Sequence, residues 1–137
     1  MIKRIDHLGI AILDADRGLA TFYESLGLKL DLIEDIPEQG LRTYHLRVGE
    51  SHIELLFPTD PSSTVAKFLE KKGPGFHHLA LEVDDMEAER ERLIGRGFEP
   101  LTPKPFVGAG GKKVQFFHPR TTGGVLLEIC QCPTTAP

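Results

Sequence analysis

Two stretches of this 137-residue chain align without a gap at an offset of 71 positions, DHLGIAILD (6–14) and HHLALEVDD (77–85). His7 falls on His78, Leu8 on Leu79, Ile10 on Leu81, Ile12 on Val83 and Asp14 on Asp85, while Asp6 falls on His77. Self-similarity of this kind means that one supersecondary plan is used twice. Each copy leads from an alternating, strand-like run into an amphipathic helix. The first is ADRGLATFYESLG, with Leu19, Phe22, Tyr23 and Leu26 at helical spacing; the second is DMEAERERLIGRG, with Met86, Leu93 and Ile94. Both helices are predicted to stop at a glycine, Gly27 or Gly97, able to take the left-handed conformation.

Short β-like runs separated by turn residues follow each helix: LKLDLIE, LRTYHLRV and HIELLF in the first copy, FEPLT, KKVQFFH and GVLLEIC in the second. Each copy reads β-α-β-β-β, and PSSTVAKFLEKKG (61–73) supplies a helical linker. Four twisted strands under one helix cannot enclose a core, so the copies must combine their sheets. The expected fold class is α+β, two tandem β-α-β-β-β modules pairing into a cupped, barrel-like mixed sheet. The expected organisation is one domain over 1–137, with repeat 1 at 3–58, the linker helix at 61–73 and repeat 2 at 75–131.

Composition narrows the partners. A net charge of -4 with no Lys/Arg-rich tract argues against nucleic acid and anionic membrane surfaces. The opening MIKRIDHLGIA has no long apolar core of a signal peptide, which suggests a cytoplasmic protein. Cys130 and Cys132 stand too close together to staple distant parts of the chain and are expected to be plain thiols.

The alignment also pairs ionisable residues. Strand alternation puts His7 and His78 at equivalent positions and His77 on the opposite side, so His78 is the inward member of the His-His pair. The last strand of each copy carries a carboxylate, Glu54 in IELLFP and Glu128 in LLEIC, at similar distances of 47 and 50 residues from the histidines. A lone strand histidine is more often a satisfied structural group, and a lone strand glutamate usually faces solvent. Four such residues in apolar strands at repeat-related positions point instead to a cation, because an unpaired charge facing an interior is costly. His7, Glu54, His78 and Glu128 form an N2O2 set suited to a divalent first-row ion or magnesium, with six-coordination leaving two open positions.

The double plan, together with IDHLGIAI, PEQG (37–40), IELLFP, STVAKFLEKKGPGFHHLALEV (63–83), FFHP (116–119) and GGVLLEI (123–129), resembles the vicinal oxygen chelate superfamily over residues 3–131. Within it, the resemblance is to the methylmalonyl-CoA epimerase family. It implies the glyoxalase fold, a homodimer, one divalent metal ion (cobalt, manganese, nickel, zinc or magnesium), an acyl-CoA substrate, and exchange of its 2R and 2S forms by α-proton transfer. Glu128 is the expected base. Some members of that family carry a glutamate three residues after the PEQG glycine, where this chain has Thr43, and that departure leaves the second base unassigned. Strand alternation offers His45, two residues on and on the same side as Thr43, as a catalytic candidate, with a structural hydrogen bond as the alternative. Glu38 in the PEQG turn is a further carboxylate, expected to be solvated. Lys112 and Lys113 after the glycine-rich FVGAGG are candidates for substrate phosphates, the alternative being a plain turn. His118 matches a His-Pro corner of the family. Glyoxalase I (lactoylglutathione lyase) is the rival enzyme reading, and a metal-free small-molecule-binding module of the same fold is the rival outside enzymes.

Overall fold

The computed structural model describes residues 1–133. The first repeat forms β1 (Ile2–Ala11), α1 (Ala15–Leu19), β2 (Lys29–Ile36), β3 (Leu41–Val48) and β4 (Ser51–Pro58). After α2 (Thr64–Lys72) the second repeat forms β5 (Gly75–Val83), α3 (Met86–Gly95), β6 (Phe106–Val107), β7 (Lys113–Phe117) and β8 (Leu127–Gln131). Both repeats therefore have the β-α-β-β-β order expected. Contacts divide the chain into two units, one of His7–His77 and one in which Met1–Asp6 joins the chain from His78 on, so the boundary falls inside β1. No helix among the described residues is long and apolar enough to cross a membrane.

The equivalent aspartates Asp14 and Asp85 have the same task. Each is an extended residue whose carboxylate accepts from backbone N–H groups in the first turn of the following helix, Asp16 and Arg17 for Asp14, Ala88 for Asp85. Gly27 and Gly97 lie just past the helices at φ of 73° and 96°, as expected. The helix after Asp14 differs from the expectation of a uniform α-helix, because it widens into a π-helical segment over Ala20–Ser25. Leu19 and Phe22 pack into the core, whereas Tyr23 and Leu26 stay exposed.

In the first unit the strand order is β2-β3-β4-β1, antiparallel except for the parallel β4/β1 pair. Alternation sorts the residues of this sheet cleanly. Tyr44, Leu46, Leu55 and Ile12 face the first-repeat helix and pack with Leu19 and Phe22. The opposite face holds His7, Thr43, His45 and Glu54, with Ala11, Leu41 and Leu56 further along it, where α2 covers them through Val65 and Leu69. β2 and β3 form a hairpin in which Ile36 pairs with Leu41 and Glu34 with Thr43. Its turn is the PEQG stretch, a 3-10 turn over Pro37–Gln39 closed by Gly40 at φ 61°.

In the second unit the order is β5-β8-β7-β6, with β5 and β8 parallel and the rest antiparallel. Val83, Ile129 and Phe117 pack on Met86 and Leu93 of α3, and Ala80, Val114 and Cys130 form the core of the other face. FEPLT, expected as a strand, makes only the isolated bridge Pro100 to Phe117. Pro100, Pro103 and Pro105 have no N–H to give a ladder, which explains why pairing is deferred to the two residues of β6. Both thiols are free, and burial pushes Cys130 and Cys132 upward from the usual range. Cys132 Sγ donates to Glu82 Oε1 at 2.9 Å, and Arg4 Nε donates to Glu82 Oε2 at 2.7 Å.

Two outcomes are expected. A Cβ at Gly40 would lie 2.7 Å from Asp60 Cβ and 3.2 Å from Ser63 Cβ at a left-handed φ. Gly40→Ala should therefore cost at least about 1–2 kcal/mol in urea denaturation, the left-handed penalty alone. The Cys132 thiol, and then Arg4, hold the Glu82 carboxyl below its ordinary 4.5. Its stabilisation is complete above that value and is lost as pH falls through the lowered one, so the acid limb of a stability-against-pH curve should flatten in Glu82→Gln.

Candidate active site

The register of the first unit assembles one cluster. His45 of β3 lies directly across from Glu54 of β4, and β1 flanks β4 on its other side, with Gly9 opposite Glu54 and His7 one pleat away. Residues opposite one another in a ladder share a face, so the three side chains converge. Glu54 Oε2 lies 3.1 Å from His7 Nδ1 and 3.4 Å from His45 Nδ1. The other nitrogen of His45, Nε2, is 2.9 Å from the Thr43 hydroxyl. All four residues are buried. Both ring nitrogens of His45 are engaged, Nδ1 with the Glu54 carboxylate and Nε2 with the Thr43 hydroxyl, which also donates to the Glu34 carbonyl oxygen at 3.5 Å. Thr43 and His45 share the face that alternation predicted.

Next to this cluster on the same sheet lie two acidic residues of β2. Asp31 accepts from His52 Nε2 at 2.9 Å and from Arg47 Nε at 2.7 Å, and these partners, His52 first, hold its carboxyl below the usual range. Glu34, the cross-strand neighbour of Thr43, brings Oε1 to 4.0 Å from His45 Nε2 with its side chain 32% exposed. Sequence reading passed over Glu34. The PEQG hairpin would have disclosed it, since a turn at 37–40 dictates the pairing of 34 with 43.

The second unit holds the repeat-related pair. His78 Nε2 lies 3.2 Å from Glu128 Oε1, both buried, and the edge of the imidazole meets Phe116 at a ring-centroid separation of 5.3 Å. His78 is thus the inward member of the two adjacent histidines. His77 lies edge-on to Phe68 of α2 at 4.8 Å.

The other candidates are placed differently. Lys112 donates to Asp6 Oδ2 at 2.7 Å, and Arg4 lies 3.6 Å from Asp6 Oδ1, so a carboxylate only 1% exposed holds the lysine proposed for phosphate. Lys113 is exposed and 3.3 Å from Glu87. His118 Nδ1 accepts from the Arg120 N–H and caps the turn Pro119–Thr121, the structural alternative for that residue. Glu38 is exposed in its turn.

Each repeat thus offers a buried imidazole and a buried carboxylate within hydrogen-bond distance of one another, a nitrogen and an oxygen donor of the kind that bind divalent ions. Residues 6–116 match the model of the Glyoxalase/Bleomycin resistance protein/Dioxygenase superfamily. The chain is 37% identical to the ethylmalonyl-CoA/methylmalonyl-CoA epimerase of Cereibacter sphaeroides, over 96% of this chain and 99% of that protein. Among solved structures, methylmalonyl-CoA epimerase of Mycobacterium tuberculosis superposes with a TM-score of 0.91 at 35% identity, covering 97% of this chain and 90% of that one. A variant of the Streptomyces coelicolor epimerase in complex with 2-nitronate-propionyl-CoA superposes with a TM-score of 0.93 at 33% identity, covering 98% and 100%. The fold expected from the repeat is the fold of these proteins.

The Thr43 hydroxyl is the one side-chain partner seen at His45 Nε2 within 3 Å. Thr43→Val keeps the shape and leaves a buried ring nitrogen without its hydroxyl partner, which should cost about 1–3 kcal/mol in denaturant unfolding. Thr43→Ser, which restores the hydroxyl, should recover most of it.

Proposed function

Since the chain belongs to the Glyoxalase/Bleomycin resistance protein/Dioxygenase superfamily, we propose that it is an epimerase that interconverts (2R)- and (2S)-methylmalonyl-CoA by α-proton transfer. Near end-to-end similarity to enzymes of that name, in a chain with a buried His/Glu pair in each repeat, carries the reading. His7, Glu54, His78 and Glu128 would together hold one divalent ion. They fit it in donor type and burial. Bound there, the ion supplies Lewis-acid stabilisation of the negative charge that grows on the thioester oxygen.

The remaining work falls to side chains of this chain. Glu128, buried beside His78, would remove the α-proton from one epimer with its carboxylate. Burial of the His/Glu pairs keeps water from competing for the developing charge. His45, whose two nitrogens are directed at Glu54 and Thr43, holds the Glu54 carboxylate in place and is a positioning residue in this reading. Lys113, the more exposed of the two lysines, is the one left to meet a CoA phosphate. The homodimer implied by the resemblance and the cytoplasmic location suggested by the opening MIKRIDHLGIA belong to the same reading.

Deuterium incorporation at the α-carbon of methylmalonyl-CoA in heavy water, followed by NMR, tests it. Protein loaded with cobalt(II) should exchange the α-hydrogen and lose stereochemical purity together, and chelator treatment should abolish both. Glu128→Gln should slow the loaded enzyme at least about 100-fold. Absence of exchange in the loaded protein, with turnover of the hemithioacetal of glutathione and methylglyoxal, would replace this reading by that of a lactoylglutathione lyase.

A further inference from the structure

A methylmalonyl thioester carries four groups on its α-carbon. The proton goes to Glu128 in the reading above, and the thioester carbonyl and the carboxylate are polar. The fourth, the alkyl group, needs an apolar surface, and the register of the second unit puts one beside Glu128. Phe116 of β7 lies directly opposite Glu128 of β8. Side chains opposite in an antiparallel pair stand side by side on one face, with Cβ atoms about 5 Å apart. Alternation puts His78 and Ala80 of β5, Cys130 of β8 and Val114 of β7 on that face too, and Phe106 of β6, opposite Val114, completes it.

We infer that Phe116 and Phe106 form the wall that receives the α-alkyl group and so set the size of substituent the enzyme accepts, an inference that rests on the epimerase reading above. Two aromatic contacts fix the wall. The Phe116 ring meets the His78 imidazole nearly at right angles, with centroids 5.3 Å apart, and stacks on Phe106 at 6.3 Å with 21° between the planes. Ala80, Val114 and Cys130, against which both rings pack, are buried, whereas the rings keep part of their surface exposed. An aromatic ring buries a large apolar area, and what Phe116 and Phe106 leave uncovered is surface that a ligand's alkyl group gains by covering. That surface belongs to a ring in contact with His78, whose Nε2 is 3.2 Å from Glu128 Oε1.

The direction of proton transfer supports the same placement. As the carbon flattens, its alkyl group lies in the plane of the enolate, to the side of the carboxylate that takes the proton rather than beyond it. The lateral neighbours of Glu128 in the ladder are Phe116 on β7 and Ala80 on β5, and the small, fully buried Ala80 has no surface to offer. Phe106 is held against this site from the far side of β7. Its strand is two residues long and turns at Gly108, where a Cβ would come 2.9 Å from Val114 Cγ2, so the backbone runs close over Val114. An alkyl chain too long for the space beside Glu128 must displace one of the stacked rings.

The test uses the cobalt-loaded protein and two substrates, methylmalonyl-CoA and propylmalonyl-CoA, whose kcat/KM values are compared as a ratio. The ratio does not depend on how much of a variant folds or holds metal, since both substrates meet the same active molecules. Phe116→Leu and Phe106→Ala open the wall from one ring or the other. Each should shift the ratio toward the propyl substrate at least about 10-fold, the low end of what one misfitting methylene is worth in an apolar pocket. Phe98→Leu changes an aromatic that lies edge-on to Phe117 on the α3 side of the sheet, and should leave the ratio as it is in the unaltered protein. An unchanged ratio in either wall variant, with methylmalonyl-CoA still inverted, would overturn the inference. So would an equal rise in KM for both substrates, because the rings would then hold the CoA arm that the two share. If the unaltered, loaded protein inverts neither substrate, the epimerase reading itself falls and takes this inference with it.

Discussion

The ladder register of β2, β3, β4 and β1 is the constraint on which the first half-site depends. Pairing His45 with Glu54 and Glu34 with Thr43 sends His7, His45, Glu54 and Glu34 to one face and leaves Tyr44, Leu46 and Leu55 for the helix on the other. A slip of one residue in β3 would exchange these faces, placing an imidazole under the helix and a leucine against Glu54. Apolar packing and chemical function therefore select the same register. The hydrophobic term is the stronger of the two, since fully burying a Leu or Tyr-sized side chain is worth about 1.5–3 kcal/mol and several are involved. Function is carried on a register that the core enforces.

Buried ionisable groups make the opposite demand. An imidazole and a carboxylate removed from water weaken a fold unless each has a partner, and replacing such pairs by apolar residues is often neutral or stabilising. The molecule nonetheless keeps several: His7 and His45 on Glu54, His78 on Glu128, Lys112 on Asp6. Among the described residues no buried side-chain polar atom lacks a hydrogen-bond partner. The His/Glu pairs recur at repeat-related positions, and the Asp6/Lys112 pair does not. A duplicated costly feature calls for a duplicated reason, which ligation of a cation, as proposed, would supply; the single Asp6/Lys112 pair ties β1 to the stretch after the glycines.

Much of this was legible because duplication turns weak signals into strong ones. A lone Asp14 before an apolar run is an ordinary capping signal, but Asp14 and Asp85 at matching positions announce two equivalent helices, and both cap. His78 rather than His77 follows from alternation plus the repeat. The misreadings came where local pattern competes with chain chemistry. FEPLT has strand-like side chains, yet three prolines in eight residues remove the donors a ladder needs. Nor could the Asp6 partner of Lys112 be read in advance, since it is 106 residues away in sequence and no local pattern points to it. The widening of the first helix over Ala20–Ser25 leaves no mark in the spacing of Leu19, Phe22, Tyr23 and Leu26 that would separate it from an α-helix.

Thr43 illustrates why sites of this kind are better described by face than by position. Side chains directly opposite in an antiparallel pair have Cβ atoms about 5 Å apart and stand side by side on one face of the sheet. Glu34 of β2 and Thr43 of β3 are such a pair, provided the hairpin keeps its register. Here the turn that sets the register is the PEQG stretch, with Gly40 pressed against Asp60 and Ser63 where no side chain fits. The turn that marks the family resemblance in sequence also aligns Glu34 with Thr43. The register set at this turn therefore decides which side chains of β2 stand beside the buried His45 and Glu54 face.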